Sequence, residues 1–121
     1  MDSLTAGDLT IELAEDSSEA IRCTWRGRSN DRNPHAFLSP YFAELISAAG
    51  ETSVPIEMHF QHLEHFNSST ITSLIRLIQD ARAEKIRLVI VYDQALKWQR
   101  LSFDALRVFD KSDQLFELRT A

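Results

Sequence analysis

Three histidines, His59, His62 and His65, recur at three-residue spacing. A single cysteine stands at position 23, and a run of amide and hydroxyl side chains fills positions 67–73. These are the side chains with chemistry to offer. The histidines fall in a stretch with strand periodicity, where His59 and His65 share one face and His62 points to the other. No cysteine lies near them and no His-Glu-x-x-His motif is present. They are expected to flank a strand end rather than to hold a metal, and no metal or other cofactor is expected. Cys23 alternates with Ile21 and Trp25 on an apolar edge and is expected to be a buried, inert thiol. There is no Gly-x-Ser-x-Gly elbow. Three glycines, Gly7, Gly27 and Gly50, make no phosphate loop. No catalytic constellation can be named, and the chain is not expected to be an enzyme.

The cluster Asn67-Ser68-Ser69-Thr70, followed by Thr72 and Ser73, remains. A helix start needs one such residue, whose side chain accepts from an otherwise unpaired backbone N–H. Four in a row exceed that need. A phosphoryl group here would face the positive end of a helix dipole and its free N–H groups, so the fold would tolerate it. It would also add nearly two negative charges to a surface loop, enough to abolish docking of a partner.

The elements that position this cluster follow from hydrophobic spacing. Leu9, Ile11 and Leu13 alternate with polar residues, as do Ile21, Cys23 and Trp25. The polar segment from Ala14 to Ala20 suits a turn, so the two strands are expected to form an antiparallel hairpin with acids facing arginines. That cross-strand pairing accounts for Arg22 and Arg26 better than a phosphate site does. Gly27 to Pro34 is expected to be a polar loop. A helix carries Tyr41, Phe42, Leu45, Ile46 and Ala49, with Gly50 as its stop; its start fits either Asn33-Pro34 or Ser39-Pro40. Ile56, Met58 and Phe60 mark a third strand, running out through His62–Phe66. Ile71, Leu74, Ile75 and Ile78 give a helical stripe over 68–84. Ile86 to Tyr92 is an apolar run with the character of a strand buried on both faces. Strand, helix and strand here form a βαβ unit with parallel strands. A further helix starts near Asp93 or at Phe103 with Ser102 as its cap, and Leu115–Leu118 is a short last strand or a packed tail. The fold class is α/β: a mixed sheet with an N-terminal antiparallel hairpin, a parallel βαβ unit, and helices packed on it.

The 121 residues fit one domain spanning 1–121. With 44% hydrophobic and 26% charged residues, an ordinary globular chain and not a disordered one is expected. The net charge of −5 is unevenly placed: residues 1–20 hold six acids and no base, whereas the remaining 101 hold 13 bases and 12 acids. Nucleic acid is not an expected partner. The longest strictly apolar run is too short to span a membrane, no basic-then-apolar leader opens the sequence, and one cysteine cannot form an internal disulfide; a cytoplasmic location is expected.

The order Ile56-Glu57-Met58-His59-Phe60, Leu63 to Ser69, Leu74-Ile75, Ala81 and Ile86 to Val91 resembles the central half of a STAS domain, the fold of bacterial anti-sigma factor antagonists. Phe37 to Leu45, with its internal proline, and the Asn-Ser-Ser-Thr-Ile form resemble the divergent SiaC-type branch. Tyr92-Asp93 and Lys97 to Phe103 resemble cyanobacterial-type regulators of the same fold. The likeness covers residues 36–118. It implies a phosphoacceptor serine, Ser68 or Ser69, at the start of the 68–84 helix. It also implies a GHKL-type anti-sigma serine kinase and a PP2C-type phosphatase as partners. Asn67 stands where the family usually has Asp, and Thr70 where it often has Gly. The function expected is a phosphorylation-switched interaction module that docks through Asn67, Ser68, Ser69 and Thr70. Trp98 is either a core residue, if helical, or an exposed anchor, if in a loop. The alternative is a ligand-sensing or accessory domain of the same fold that is not phosphorylated.

Overall fold

The computed structural model describes residues 1–14 and 19–121. The part of the expected hairpin turn at positions 15–18 lies outside the described residues. Strands β1 (Leu4–Ala6), β2 (Leu9–Ala14) and β3 (Ile21–Ser29) lead into helix α1 (His35–Thr52). Then come β4 (Ile56–His59), β5 (Leu63–Phe66), α2 (Ser68–Ala83), β6 (Leu88–Tyr92) and α3 (Lys97–Asp104). A 3-10 turn (Ala105–Phe109) and β7 (Phe116–Thr120) close the order.

One mixed sheet runs β1-β2-β3-β4-β6-β7, with β5 also paired to β3. The expected antiparallel hairpin is β2–β3, with Ile11 opposite Trp25. The expected parallel unit is β4–α2–β6, with Met58 opposite Ile90. Of the short strand and the packed tail expected over 115–118, the strand forms, shifted to Phe116–Thr120 as β7 and parallel to β6.

The strand alternation sorts side chains onto two faces. Leu9, Ile11, Cys23, Trp25, Ile56, Met58, Leu88, Ile90, Tyr92 and Phe116 join Leu38, Leu45, Leu74, Leu77 and Ile78 of the helices in one core. Trp25 is its centre, 4.8 Å ring to ring from Phe60 and donating its indole N–H to Met58 Sδ at 3.2 Å. The other face is polar and ion-paired: Arg26 with Glu12 at 2.9 Å, and Arg22 with Glu57 at 3.2 Å. β6 alone is buried at all five positions, as its unbroken apolar sequence required.

The structure departs from local expectation at several points and decides between open alternatives at others. β1 has too few residues for a visible period, and it forms by adding antiparallel to β2. The loop expected from Gly27 begins only after Ser29, because β3 continues past β4 to pair with β5. Gly27 there has φ +84, and a Cβ on it would clash with the Asp8 carbonyl oxygen, so only glycine fits this approach. The single third strand is two, β4 and β5, separated by Phe60–His62. Helix α1 starts at the earlier proline: Pro34 O accepts from Leu38 N–H at 2.8 Å, and Pro40 lies inside the helix at an exposed position. Gly50 stays helical, and the left-handed residue that ends α1 is Ser53. Last, Ser102 is interior to α3, which begins at Lys97.

A register shift in the β3–β5 pairing explains how β5 buries both Leu63 and Phe66. Leu63 faces Gly27, but His65 faces Arg28 and Phe66 faces Ser29. The extra residue at Glu64 turns a spacing of three into a shared face.

Candidate functional site

The C-terminal ends of β3 and β5 deliver the chain to the starts of α1 and α2 at the same sheet edge. Asn67 caps α2 and ties three segments together. Its Oδ1 accepts from Thr70 N–H at 2.9 Å and from the Thr70 hydroxyl at 2.8 Å. Its Nδ2 donates to Asp31 O at 2.7 Å, and its backbone N–H donates to Ser29 O at 3.1 Å. An aspartate here could accept from Thr70 but could not donate to Asp31 O. Asn67 thus serves the β3–α1 loop as well as the helix.

The expected site residues part company at the first turn. Thr70 is fully buried, and its hydroxyl lies 2.7 Å from Ser29 Oγ. Because Asn67 Oδ1 can only accept, Thr70 donates to it and Ser29 donates to Thr70. Thr70 therefore holds the loop from within and shows a partner no surface. Ser68, the first helical residue, is exposed, and Ser69 is half-buried. Neither hydroxyl has a hydrogen-bond partner among the described residues. Asn67, half-buried, shows part of its side chain beside them.

Trp98 lies on α3 and is half-buried. It meets Phe66 edge-on at 5.2 Å and lies 6.5 Å from the His65 ring. Of the two expectations, the helical one holds, with part of the ring left at the surface beside the residue that precedes Asn67. The neighbouring Gln99 is fully buried and organises the other side of β5. Its Nε2 donates to Phe60 O at 2.6 Å and Leu63 O at 3.3 Å, and its Oε1 accepts from Asp93 N–H at 2.8 Å.

Sequence reasoning missed Ser29, Asp31, His35, Arg76 and Gln99. Arg76 donates to His35 Nε2 at 2.9 Å, which leaves Nδ1 as the protonated nitrogen facing Ser73 Oγ at 3.4 Å. These contacts span 38 and 41 residues, and no local pattern announces them. Gln99 had a faint signal, as a polar residue on the inward side of an amphipathic helix.

The histidines do not converge. His59 faces Thr24 and His65 faces Arg28, the same face of β3, but His59 is engaged by Glu57 at 3.0 Å. Among the described residues no group of three metal-ligating side chains comes together. Burial pushes the Cys23 thiol up to about 12, far from nucleophilic range. An open groove of about 620 Å³ runs between α1 and α2, lined by Ile46, Gly50, Asp80, Ala83 and Ile86. Apart from Ile86, which precedes β6, these belong to the C-terminal halves of both helices, away from Ser68. No described helix is long and apolar enough to cross a membrane.

No protein-family model and no curated protein matches the sequence. Solved structures do. The unphosphorylated anti-sigma factor antagonist SpoIIAA superposes with a TM-score of 0.62 at 17% identity, over 92% of this chain and 87% of that one. The phosphorylated form of SpoIIAA, a Bacillus cell fate determinant, superposes at 0.57 and 16% identity, over 92% and 90%. The chain has a STAS fold. The resemblance visible in the Leu63–Ser69 and Ile86–Val91 segments is thus matched by the strand order and helix placement of nearly the whole chain. Within the STAS fold, the Asn67–Thr70 turn is where a strand end meets a helix start.

Proposed function

We propose that this protein is a phosphorylation-switched interaction module of the anti-sigma factor antagonist type, with Ser68 as phosphoacceptor and Ser69 as the neighbouring alternative. One observation carries the reading: Ser68 is an exposed hydroxyl without an internal partner, at the first position of a firmly capped helix. SpoIIAA, whose fold the chain shares, occurs in both phosphorylated and unphosphorylated forms, which supports a switch.

Asn67 and Thr70 satisfy the capping need without either serine, so modifying Ser68 leaves the helix start intact. A phosphate on Ser68 faces the helix N-terminus, whose remaining N–H groups and dipole favour it. The same phosphate brings nearly two negative charges to a neutral turn. A partner docked across Asn67, Ser68 and Ser69, with the exposed edge of Trp98 as a flanking anchor, loses its fit. Output through binding needs no catalytic group. The partners proposed are a GHKL-type serine kinase that adds the phosphate and a PP2C-type phosphatase that removes it.

Incubation with a GHKL-type serine kinase of the same organism and ATP is expected to add one phosphate by intact mass, mapped to Ser68 by fragmentation. Ser68→Ala is expected to abolish it. Equal phosphorylation of a Ser68→Ala/Ser69→Ala double variant would reject the site.

A further inference from the structure

β7 ends the sheet, and its outer edge pairs with no described strand. The parallel register runs from Leu88 opposite Phe116 to Tyr92 opposite Thr120. At its two ends, Leu88 N–H donates to Leu115 O at 3.0 Å and Ala121 N–H donates to Tyr92 O at 2.9 Å. In a parallel ladder this phase turns the N–H and C=O groups of Glu117 and Arg119 toward β6. Those of Phe116, Leu118 and Thr120 therefore point out along the free edge. Glu117 and Arg119 project from the polar face of the sheet and pair with each other at 2.8 Å, while Arg87 also reaches Glu117 at 2.6 Å. Leu118 lies half-buried at the margin of the core.

We propose that this edge pairs with the same edge of a second copy of the chain, antiparallel about a two-fold axis through Leu118. The sequence Phe116-Glu117-Leu118-Arg119-Thr120 is self-complementary in that register. Leu118 faces its own copy in a hydrogen-bonded pair, using the groups that point outward. Phe116 faces Thr120 of the second copy in the same bonding phase. On the polar face, each Glu117 meets an Arg119 of the other copy, two opposite-charge cross-strand pairs. On the core face, the two Leu118 side chains cover each other. The interface is isologous, so it closes at two copies. A shift by one residue in either direction breaks both the charge pairing and the bonding phase. A partner with an unrelated strand would have no reason to match all three.

Sedimentation velocity over a concentration series tests this on the whole chain. The wild-type protein is expected to show a concentration-dependent dimer. Arg119→Glu and Glu117→Arg each replace two attractive pairs by two repulsive ones and are expected to weaken dimerisation by about tenfold or more. The double exchange Glu117→Arg/Arg119→Glu is expected to restore it. An equimolar mixture of the two single variants is expected to dimerise as the wild type does. That last arm also excludes misfolding of the variants as the cause of their loss. A wild type that stays monomeric at the highest concentration overturns the proposal. So do single variants that dimerise as well as the wild type, or a mixture that fails to associate while circular dichroism shows both variants folded.

Discussion

The hydroxyls of Ser29 and Thr70 lie 2.7 Å apart in the interior, joining the end of β3 to the first turn of α2. Through Thr70 the chain of bonds continues to the Asn67 cap. The neutral turn that presents Ser68 is thus anchored from below by residues 41 positions apart. Thr70→Val keeps the shape and removes the hydroxyl, leaving Ser29 Oγ and one bonding site of Asn67 Oδ1 without a partner. The expected loss is about 2 kcal/mol in a urea titration. If stability is unchanged, the Thr70 hydroxyl is not what fixes the turn.

Gly27 permits the close crossing of β2 and β3. Arg28 N–H donates to Asp8 O at 3.0 Å, and this same oxygen would clash with any Cβ on residue 27. Gly27→Ala combines that clash with a positive φ, and is expected to cost more than about 2 kcal/mol. Thermal unfolding followed by circular dichroism measures it. Gly7→Ala, whose φ is also positive but whose Cβ meets nothing within 4 Å, is expected to cost less, which separates the clash from the backbone strain.

Gln99 is a buried polar side chain with three protein partners. Gln99→Leu leaves the carbonyls of Phe60 and Leu63 and the N–H of Asp93 short of a partner. A loss of about 3 kcal/mol is expected by chemical denaturation. Faster amide exchange at Asp93 should accompany it, because that N–H is the group released.

The polar face of the sheet should show acid sensitivity centred on Glu57. Burial works to raise its carboxyl, but hydrogen bonds from His59 and Arg22 outweigh this and hold it below the usual carboxylate range. A depressed folded-state value stabilises the fold above the carboxylate's ordinary range, and that contribution disappears as pH falls through the lowered value. Stability measured by urea titration should therefore decline on the acid side in the wild type. Glu57→Gln should flatten this part of the profile. An unchanged acid slope would show that Glu57 is not coupled to folding.

Much of the fold is legible without tertiary information because burial imposes period. The alternation of Leu9, Ile11 and Leu13, the helical stripe from Ile71 to Ile78, and the unbroken run of β6 each state how many faces their element buries. The same logic identified Asn67–Thr70 as a helix start with surplus polar residues. Legibility fails where a contact overrides local preference. Asn33-Pro34 and Ser39-Pro40 are equally good helix starts by themselves. The packing of Leu38 and Tyr41 into the core carries the helix through Pro40, at the cost of one hydrogen bond. Gly27 reads as the start of a loop because what it approaches, the Asp8 carbonyl, lies in the β1–β2 turn, far from it in sequence.

Hydrophobic spacing is a property of neighbouring residues, so the layered α/β class, the antiparallel entry and the parallel unit around α2 are legible in the chain alone. So are the four residues that crowd the helix start. Their division of labour comes from long-range contacts. Asn67 and Thr70 face Asp31 and Ser29 and are consumed in holding the turn, while Ser68 is left free at the surface. A hydroxyl's role depends on its partners. The partners here come from the end of β3 and the loop that follows it, brought beside α2 by the pairing of β3 with β5.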